Sequence, residues 1–373
     1  MQKLNRHIIT ITGDLASGKS KVTTLLANEL GYEIYRNGDY VRKLAKEKGM
    51  DITQFNEYVK QHPEIDNDIE KSAAQYALEH DKLIIDARLG WYAVPHSFKV
   101  YLKVDLDVSA KRALNDADRK DSEMFTDLEE QKQDILKRYN MENERFFNLY
   151  GVRRDDMSNY DFILDTSNIS LEETKEKIKT EYFKWLEKWK IFETSMKLFA
   201  QKGYDATSIE EITATVGVAK GTLYYHFSSK EEIFNFLVEE GMKLLKNSID
   251  IKISKASNYV DKIRAVVLIQ IKVIAKYEDF MTIVLSQIWG NEARNIMCKN
   301  KVIEYIKTIE DLLKEGMEHG EIIQGDPAVM ASGIFGLTCS SLVYKLKTNK
   351  DIDIPALYKE FDSSILKNLA KRK

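Results

Sequence analysis

Cysteine and proline are scarce in this chain, with two and four among 373 residues. Cys298 and Cys339 lie far apart on apolar helical patterns, with no CxxC or Cys/His spacing. That excludes a disulfide scaffold or zinc site and predicts two buried thiols. The shortage of proline, beside many Lys, Glu, Leu and Ile residues, favours long helices. Excess charge is missing too: a formal net charge of −3 gives no bulk attraction to nucleic acid, so any DNA contact must be local. The N-terminal MQKLNRHIITITG runs straight into an apolar strand. The expectation is a cytoplasmic chain with no uncharged run of about 18 residues available to cross a membrane. Length, with 43% hydrophobic and 31% charged residues, suits two or three globular domains.

What is present first is alternation. Short apolar runs at IITIT (Ile8 to Thr12), KLIID (Lys82 to Asp86), KVYLKV (Lys99 to Val104) and DFILD (Asp161 to Asp165) are separated by helical patterns. They predict a parallel sheet covered on both faces. The segment from Ala110 to Tyr150 is charged and helical, as a solvated lid would be. Beyond Thr166 the chain reads as helices alone, punctuated by Gly203, Gly217, Gly241, Gly290, Gly320 and Pro327. The expected linker between the halves is missing. Ser170 and Glu173 form a capping-box signature, and Ile178, Tyr182, Trp185, Trp189, Phe192, Met196 and Phe199 keep a regular helical spacing. One helix of about 45 to 50 Å fits this stretch, as do two helices with a kink near Phe183 to Lys188.

GDLASGKS, Gly13 to Ser20, matches G-x-x-x-x-G-K-[ST] after a strand and before a helix. Glycines let backbone N–H groups converge on phosphate oxygens, and the helix N-terminus adds a favourable dipole. Gly13, Asp14, Leu15, Ala16, Ser17, Gly18, Lys19, Ser20 and Lys21 are the candidate ATP-binding residues. Lys19 would reach the β- and γ-phosphates, and Ser20 would ligate Mg²⁺. Asp86, closing KLIID, is the candidate for the magnesium shell, or else a strand-end carboxylate capping a turn. Arg88, Asp39 and Arg42 suggest an acceptor site for a monophosphate, because arginine forks suit phosphate; surface ion pairs are the other reading.

ITITGDLASGKSKVTTLLANELGYE, NGDYVRKLAKEKGMDITQFNEYVKQHPEID, IIDARLGWY, KRYNMENERFFNLYGV and YDFILDTS together resemble the archaeal-type cytidylate kinases of the nucleoside monophosphate kinase group. The resemblance implies a P-loop α/β fold with a mobile lid, Mg-ATP as donor and CMP or dCMP as acceptor. It implies that Asp39, Arg42 and Arg88 hold the acceptor nucleotide. Catalysis would fall to Lys19 and Asp86 with the lid arginines Arg112, Arg119, Arg138 and Arg145, which neutralise the moving phosphoryl group. Three departures stand out. Asp14 replaces a proline and brings a carboxylate near triphosphate, Lys21 replaces a small hydroxyl residue, and Ala87 stands where glycine is typical.

Further on, LFAQKGYDATS, the pair Ile209 and Ile212, VGVAKGTLYYHF and SKEEIF give a helix ending at Gly203, a second from about Ser208 to Val216 and a third from about Lys220 to Phe227. This is a helix-turn-helix spacing, and the string resembles the N-terminal domain of TetR-family repressors. By that resemblance Ala219, Lys220, Gly221, Thr222 and Tyr224 face bases or nearby phosphates, with core packing the alternative for Tyr224. Tyr225 and His226 bond phosphate, and Lys230 clamps the backbone. Thr207 or Ser208 caps the second helix and presents its N-terminus to a phosphate. GMEHGEI and DPAVMASGIFGL resemble the family's regulatory domain. Its last two long helices, here Pro327 to Lys347 and Ile354 to Lys371, would pair as a four-helix bundle through Met330, Ile334, Leu337 and Leu342, unless these pack within one subunit. Phe280, Met281 and Trp289 are equally readable as pocket or core.

The expected fold is therefore an α/β P-loop parallel-sheet domain at 1–183. A TetR-like helix-turn-helix at 184–240 and an all-α regulatory and dimerisation domain at 241–373 follow it. The expected function is a homodimeric regulator of a pseudo-palindromic double-stranded DNA operator, modulated by ATP, Mg²⁺ and a pyrimidine nucleoside monophosphate. An active CMP or dCMP kinase beside an independently acting autoregulatory repressor is the alternative.

Overall fold

The computed structural model describes residues 6–51, 54–55, 58–59, 62–115, 127–254, 256–348 and 353–370. The chain divides into two compact units, with the boundary between Glu187 and Lys188.

The first unit is built on five parallel strands. They are β1 (Ile8–Gly13), β2 (Glu33–Arg36), β3 (Leu83–Asp86), β4 (Phe98–Lys103) and β5 (Phe162–Asp165), in the order β2-β3-β1-β4-β5. Period-two alternation decides which residues serve which face. Ile9 and Ile11 of β1 join Ile84, Phe98, Val100 and Leu102 in one core, against Val22 and Leu26 of helix α1 (Lys19–Leu30). Ile8 turns the other way and packs with Leu83, Ile85 and Ala73 of a helix (Pro63–Glu79) on the opposite face. Around the sheet lie α2 (Asn37–Glu47), α4 (Leu106–Leu114) and α5 (Leu128–Tyr150), with Pro63–Glu79 as α3.

The long helix is unbroken. Helix α6 runs Leu171–Lys202 and stays helical through Phe183 to Lys188; at 1.5 Å per residue, its 32 residues give a contour of about 48 Å. Ser170 Oγ accepts from Glu173 N at 3.1 Å and so caps its start. Ile178 and Tyr182 are fully buried against the sheet. Burying each contributes about 1.5–3 kcal/mol, which secures this part of the helix to the first unit. Past the boundary Ile191, Phe192, Leu198 and Phe199 enter the core of the second unit.

That second unit is helical throughout its described residues, apart from an isolated bridge between Ile322 and Ala370. Helices α7 (Ile209–Val216), α8 (Lys220–His226) and α9 (Lys230–Ile253) complete the helix-turn-helix region. Next come α10 (Tyr259–Lys276), α11 (Glu278–Gln287), α12 (Ala293–Glu318), α13 (Pro327–Thr348) and α14 (Ile354–Ser364). Cys298 and Cys339 are buried free thiols, as expected, and burial pushes them up to about 11 and about 12.

Three expectations need correction here. The last helix ends at Ser364, and the chain continues as a 3₁₀ turn, Leu366–Leu369, whose end bonds back to Ile323. Residues 327–344 carry no charge, and Pro327–Leu346 is long and apolar enough to cross a membrane, with a mean hydropathy of 1.4. Only 28% of it is buried within the unit. Its face also differs from the expected one. Ile334 and Leu342 are buried inside the unit, whereas Leu337 is exposed together with Val329 and Tyr344.

Candidate nucleotide and DNA sites

The glycine loop follows directly from β1. Gly13 pairs in register with Leu102, and a Cβ there would lie 2.7 Å from the Leu102 carbonyl oxygen and 2.9 Å from Ser17 Oγ. Gly18 has φ +86, a left-handed conformation that glycine adopts without strain, and a Cβ on it would meet Leu171 Cδ2 at 2.9 Å. The loop's outward carbonyls are held by neighbours: Ser109 Oγ donates to Leu15 O at 2.6 Å and Thr166 Oγ1 to Ser17 O at 3.1 Å.

Lys19 and Ser20 open α1 and meet Asp86 at the end of β3. Ser20 Oγ donates to Asp86 Oδ2 at 2.9 Å, and Lys19 Nζ pairs with Oδ1. Burial lowers the Lys19 pKa, the Asp86 carboxylate opposes that shift, and Arg88 and Arg154 add to it. A cation held in a positive field, beside a hydroxyl and a carboxylate, suits a polyphosphate with a divalent metal.

One cavity of about 1710 Å³ gathers Gly13–Lys21 with Asp39, Arg42, Arg88, Arg112 and Arg138. Ten cationic side chains line it against three carboxylates, Asp14, Asp39 and Glu142. Asp39 and Arg42 form an exposed ion pair with each other. Arg112 donates to the Thr166 and Ser167 carbonyls at 2.8 and 3.2 Å, so it supports the loop's surroundings. Arg138 pairs with Asp134 at 2.8 Å. Arg145 is exposed on α5, does not line the cavity, and lies 6.0 Å from the Phe146 ring. Arg119 lies outside the described residues. The Asp14 carboxylate accepts from the Tyr101 hydroxyl and from Val104 N at 3.0 Å. Tyr101, Glu142 and Arg154 also line the cavity but carry no local signal in the sequence, because their partners are remote in the chain.

In the second unit Gly217, at φ 81, turns α7 into α8. Ser208 caps α7 by accepting from Glu211 N at 3.1 Å, whereas Thr207 is buried and donates to Gly203 O at 2.9 Å. The buried Leu223 and Phe227 pin α8, and Ala219, Lys220, Gly221, Tyr224 and Tyr225 are exposed. Thr222 and His226 are half-buried. Tyr224 is 45% exposed, which removes the core reading for it. Lys220 is held by Glu210 at 2.7 Å. Lys230 donates to the Tyr204 and Thr207 carbonyls, both at 2.9 Å, and covers the Tyr204 ring. Phe280 and Met281 are core residues, and Trp289 is 85% exposed.

Comparison with known proteins finds two families in the chain. Residues 8–168 match the cytidylate kinase-like family, and residues 191–236 match the tetR family of bacterial regulatory proteins. A cytidylate kinase of Thermoplasma volcanium is 33% identical over 169 residues, 44% of this chain and 85% of that protein. An S-adenosylmethionine-dependent nucleotide dehydratase of Lacinutrix mariniflava is 33% identical over 177 residues, 47% of this chain, which spans only 36% of that protein's length. A solved structure, a Clostridium perfringens putative fatty acid metabolism regulator, is 33% identical, with 49% of this chain and all of that chain covered at a TM-score of 0.46. The chain thus belongs to the cytidylate kinase-like family through its first unit, and fuses that domain to a TetR-type regulator domain.

Proposed function

We propose that this chain is a homodimeric transcription regulator whose first unit binds ATP, Mg²⁺ and a pyrimidine nucleoside monophosphate, and that this binding biases operator occupancy by the second. The observation that carries the reading is helix α6. Its start, Ser170, Leu171 and Thr174, lines the nucleotide cavity, and its last turns build the first helix of the DNA-reading module. A ligand that changes the first turn therefore acts on an element the module cannot do without.

Within this reading Lys19 contacts phosphate, while Ser20 and Asp86 hold magnesium. Gly13 and Gly18 fit a phosphate cradle because a Cβ at either would crowd the loop. Bound magnesium would neutralise phosphate charge and orient the terminal group. Asp39, Arg42 and Arg88 receive the monophosphate, and Arg112 and Arg138 surround the phosphates. The exposed residues of α8, with Ser208 at the start of α7, contact DNA. The exposed apolar face of α13 meets a second copy, which supplies the matching half-site reader. The domains at 1–183, 184–240 and 241–373, and a cytoplasmic location, follow from this reading.

A thermal-shift panel of nucleotides with and without magnesium tests the site. Ligand at 100 times its Kd stabilises by about 2.7 kcal/mol, so ATP and CMP should raise the melting temperature of the wild type and ATP should not do so for Lys19→Ala. A panel without any shift would refute nucleotide binding.

A further inference from the structure

Among the arginines of the nucleotide cavity, Arg154 stands apart by burial. Its side chain is 4% exposed, against 47% for Arg88 and 42% for Arg138. The guanidinium lies 4.7 Å from the Tyr139 ring, and the Arg154 carbonyl accepts from the Tyr160 hydroxyl at 2.9 Å. A guanidinium carries five N–H donors, and burying it is costly unless they are used. One donor reaches Glu142 at 3.1 Å, whereas Nε finds no partner. The same Glu142 carboxylate pairs with Arg88. A single carboxylate thus holds two guanidinium groups in the cavity of the glycine loop. Their field reaches Lys19, whose ammonium both arginines disfavour.

We infer that Arg154 is a further phosphate-binding residue, which takes the phosphoryl group at the junction of Lys19 and Arg88, and that Glu142 is the positioning residue holding Arg88 and Arg154 together. The inference rests on the nucleotide-binding reading above and deepens it. A planar fork binds phosphoryl oxygens bidentately and neutralises charge on a terminal phosphate, which a lysine does only as a point charge. The neighbouring Arg153 is different. It is exposed and closes a local pair with Asp155 at 2.8 Å.

Calorimetric titration of the full chain with Mg-ATP and Mg-ADP tests this, alongside thermal unfolding of each variant. Arg154→Met should weaken ATP by about tenfold or more, the size of a lost charged hydrogen bond, while ADP changes by less than about threefold. Arg154→Lys, which keeps charge and bulk, should fall between. Glu142→Gln should lower the ratio of ATP to ADP affinity, and Glu142→Asp should restore part of it. Unchanged ATP affinity in both Arg154 variants overturns the inference, as does equal weakening of ATP and ADP. Wild-type protein that binds neither nucleotide would instead overturn the underlying reading, an outcome visible before any variant is made.

Discussion

Replacing Gly13 by alanine tests whether the glycine loop is shaped by its strand contacts. The new Cβ would sit 2.7 Å from Leu102 O and 3.0 Å from Leu102 Cβ. Neither atom can swing aside, because Leu102 is fully buried in β4 and its carbonyl accepts from Asp14 N at 2.9 Å. Strand β1 must then shift against β4 where the loop begins. Overpacking of this kind costs about 1–3 kcal/mol. For a unit of this size each kcal/mol lowers the melting temperature by about 2–4 °C, so a drop of about 2–12 °C is expected. Gly31→Ala is the control. Gly31 is left-handed at φ +66 with nothing within 4 Å of its Cβ position, so only backbone strain applies. That strain costs about 1–2 kcal/mol and lowers the melting temperature with no effect on the loop. Differential scanning calorimetry with ATP titration separates the two. Gly13→Ala should lose ATP affinity as well as stability, and Gly31→Ala should lose stability alone. A Gly13→Ala protein that melts and binds ATP as the wild type does would refute the packing argument.

Asp14→Ala strips the buried Tyr101 hydroxyl and Val104 N of their acceptor; a stability loss of about 1–3 kcal/mol in denaturant titration is expected. Glu210→Gln releases Lys220 from its 2.7 Å ion pair. The log–log salt slope of DNA binding should then steepen by about one phosphate contact, a gain that Lys220→Ala added to Glu210→Gln should remove. Burial pushes Cys298 and Cys339 up to about 11 and about 12, so both thiols stay protonated at neutral pH. Alkylation should be slow in native protein and fast in denaturant, and fast native labelling would contradict the burial.

The parts of this molecule that are legible in sequence are those with local causes. Four apolar runs become strands, and GDLASGKS lies between strand and helix because its residue types act on their own backbone. The strand Glu33–Arg36 escapes notice because only Tyr35 of its four residues is buried. Helix α6 is signalled by a run without breakers, yet spacing alone does not distinguish one helix from a kinked pair. The arginine cluster is legible only in part. Arg88, Arg112 and Arg138 reach the cavity, but Arg145 does not, since its place on α5 leaves it in solvent. Arg154 and Glu142 become neighbours only through folding, and no local pattern marks them. Likewise Thr207 and Ser208 are equivalent candidates as caps until the turn buries one and exposes the other.

On the proposed function, nucleotide occupancy and operator occupancy are linked through α6. The direct measurement is operator affinity by fluorescence anisotropy, on a duplex selected by the chain from random sequence, with and without saturating Mg-ATP and CMP. Coupling between sites is typically about 1–3 kcal/mol, or about 5–150-fold. A change in that range is expected for the wild type, with its loss in Lys19→Ala. Operator affinities that agree within about twofold, in a protein shown to be nucleotide-saturated, would contradict it.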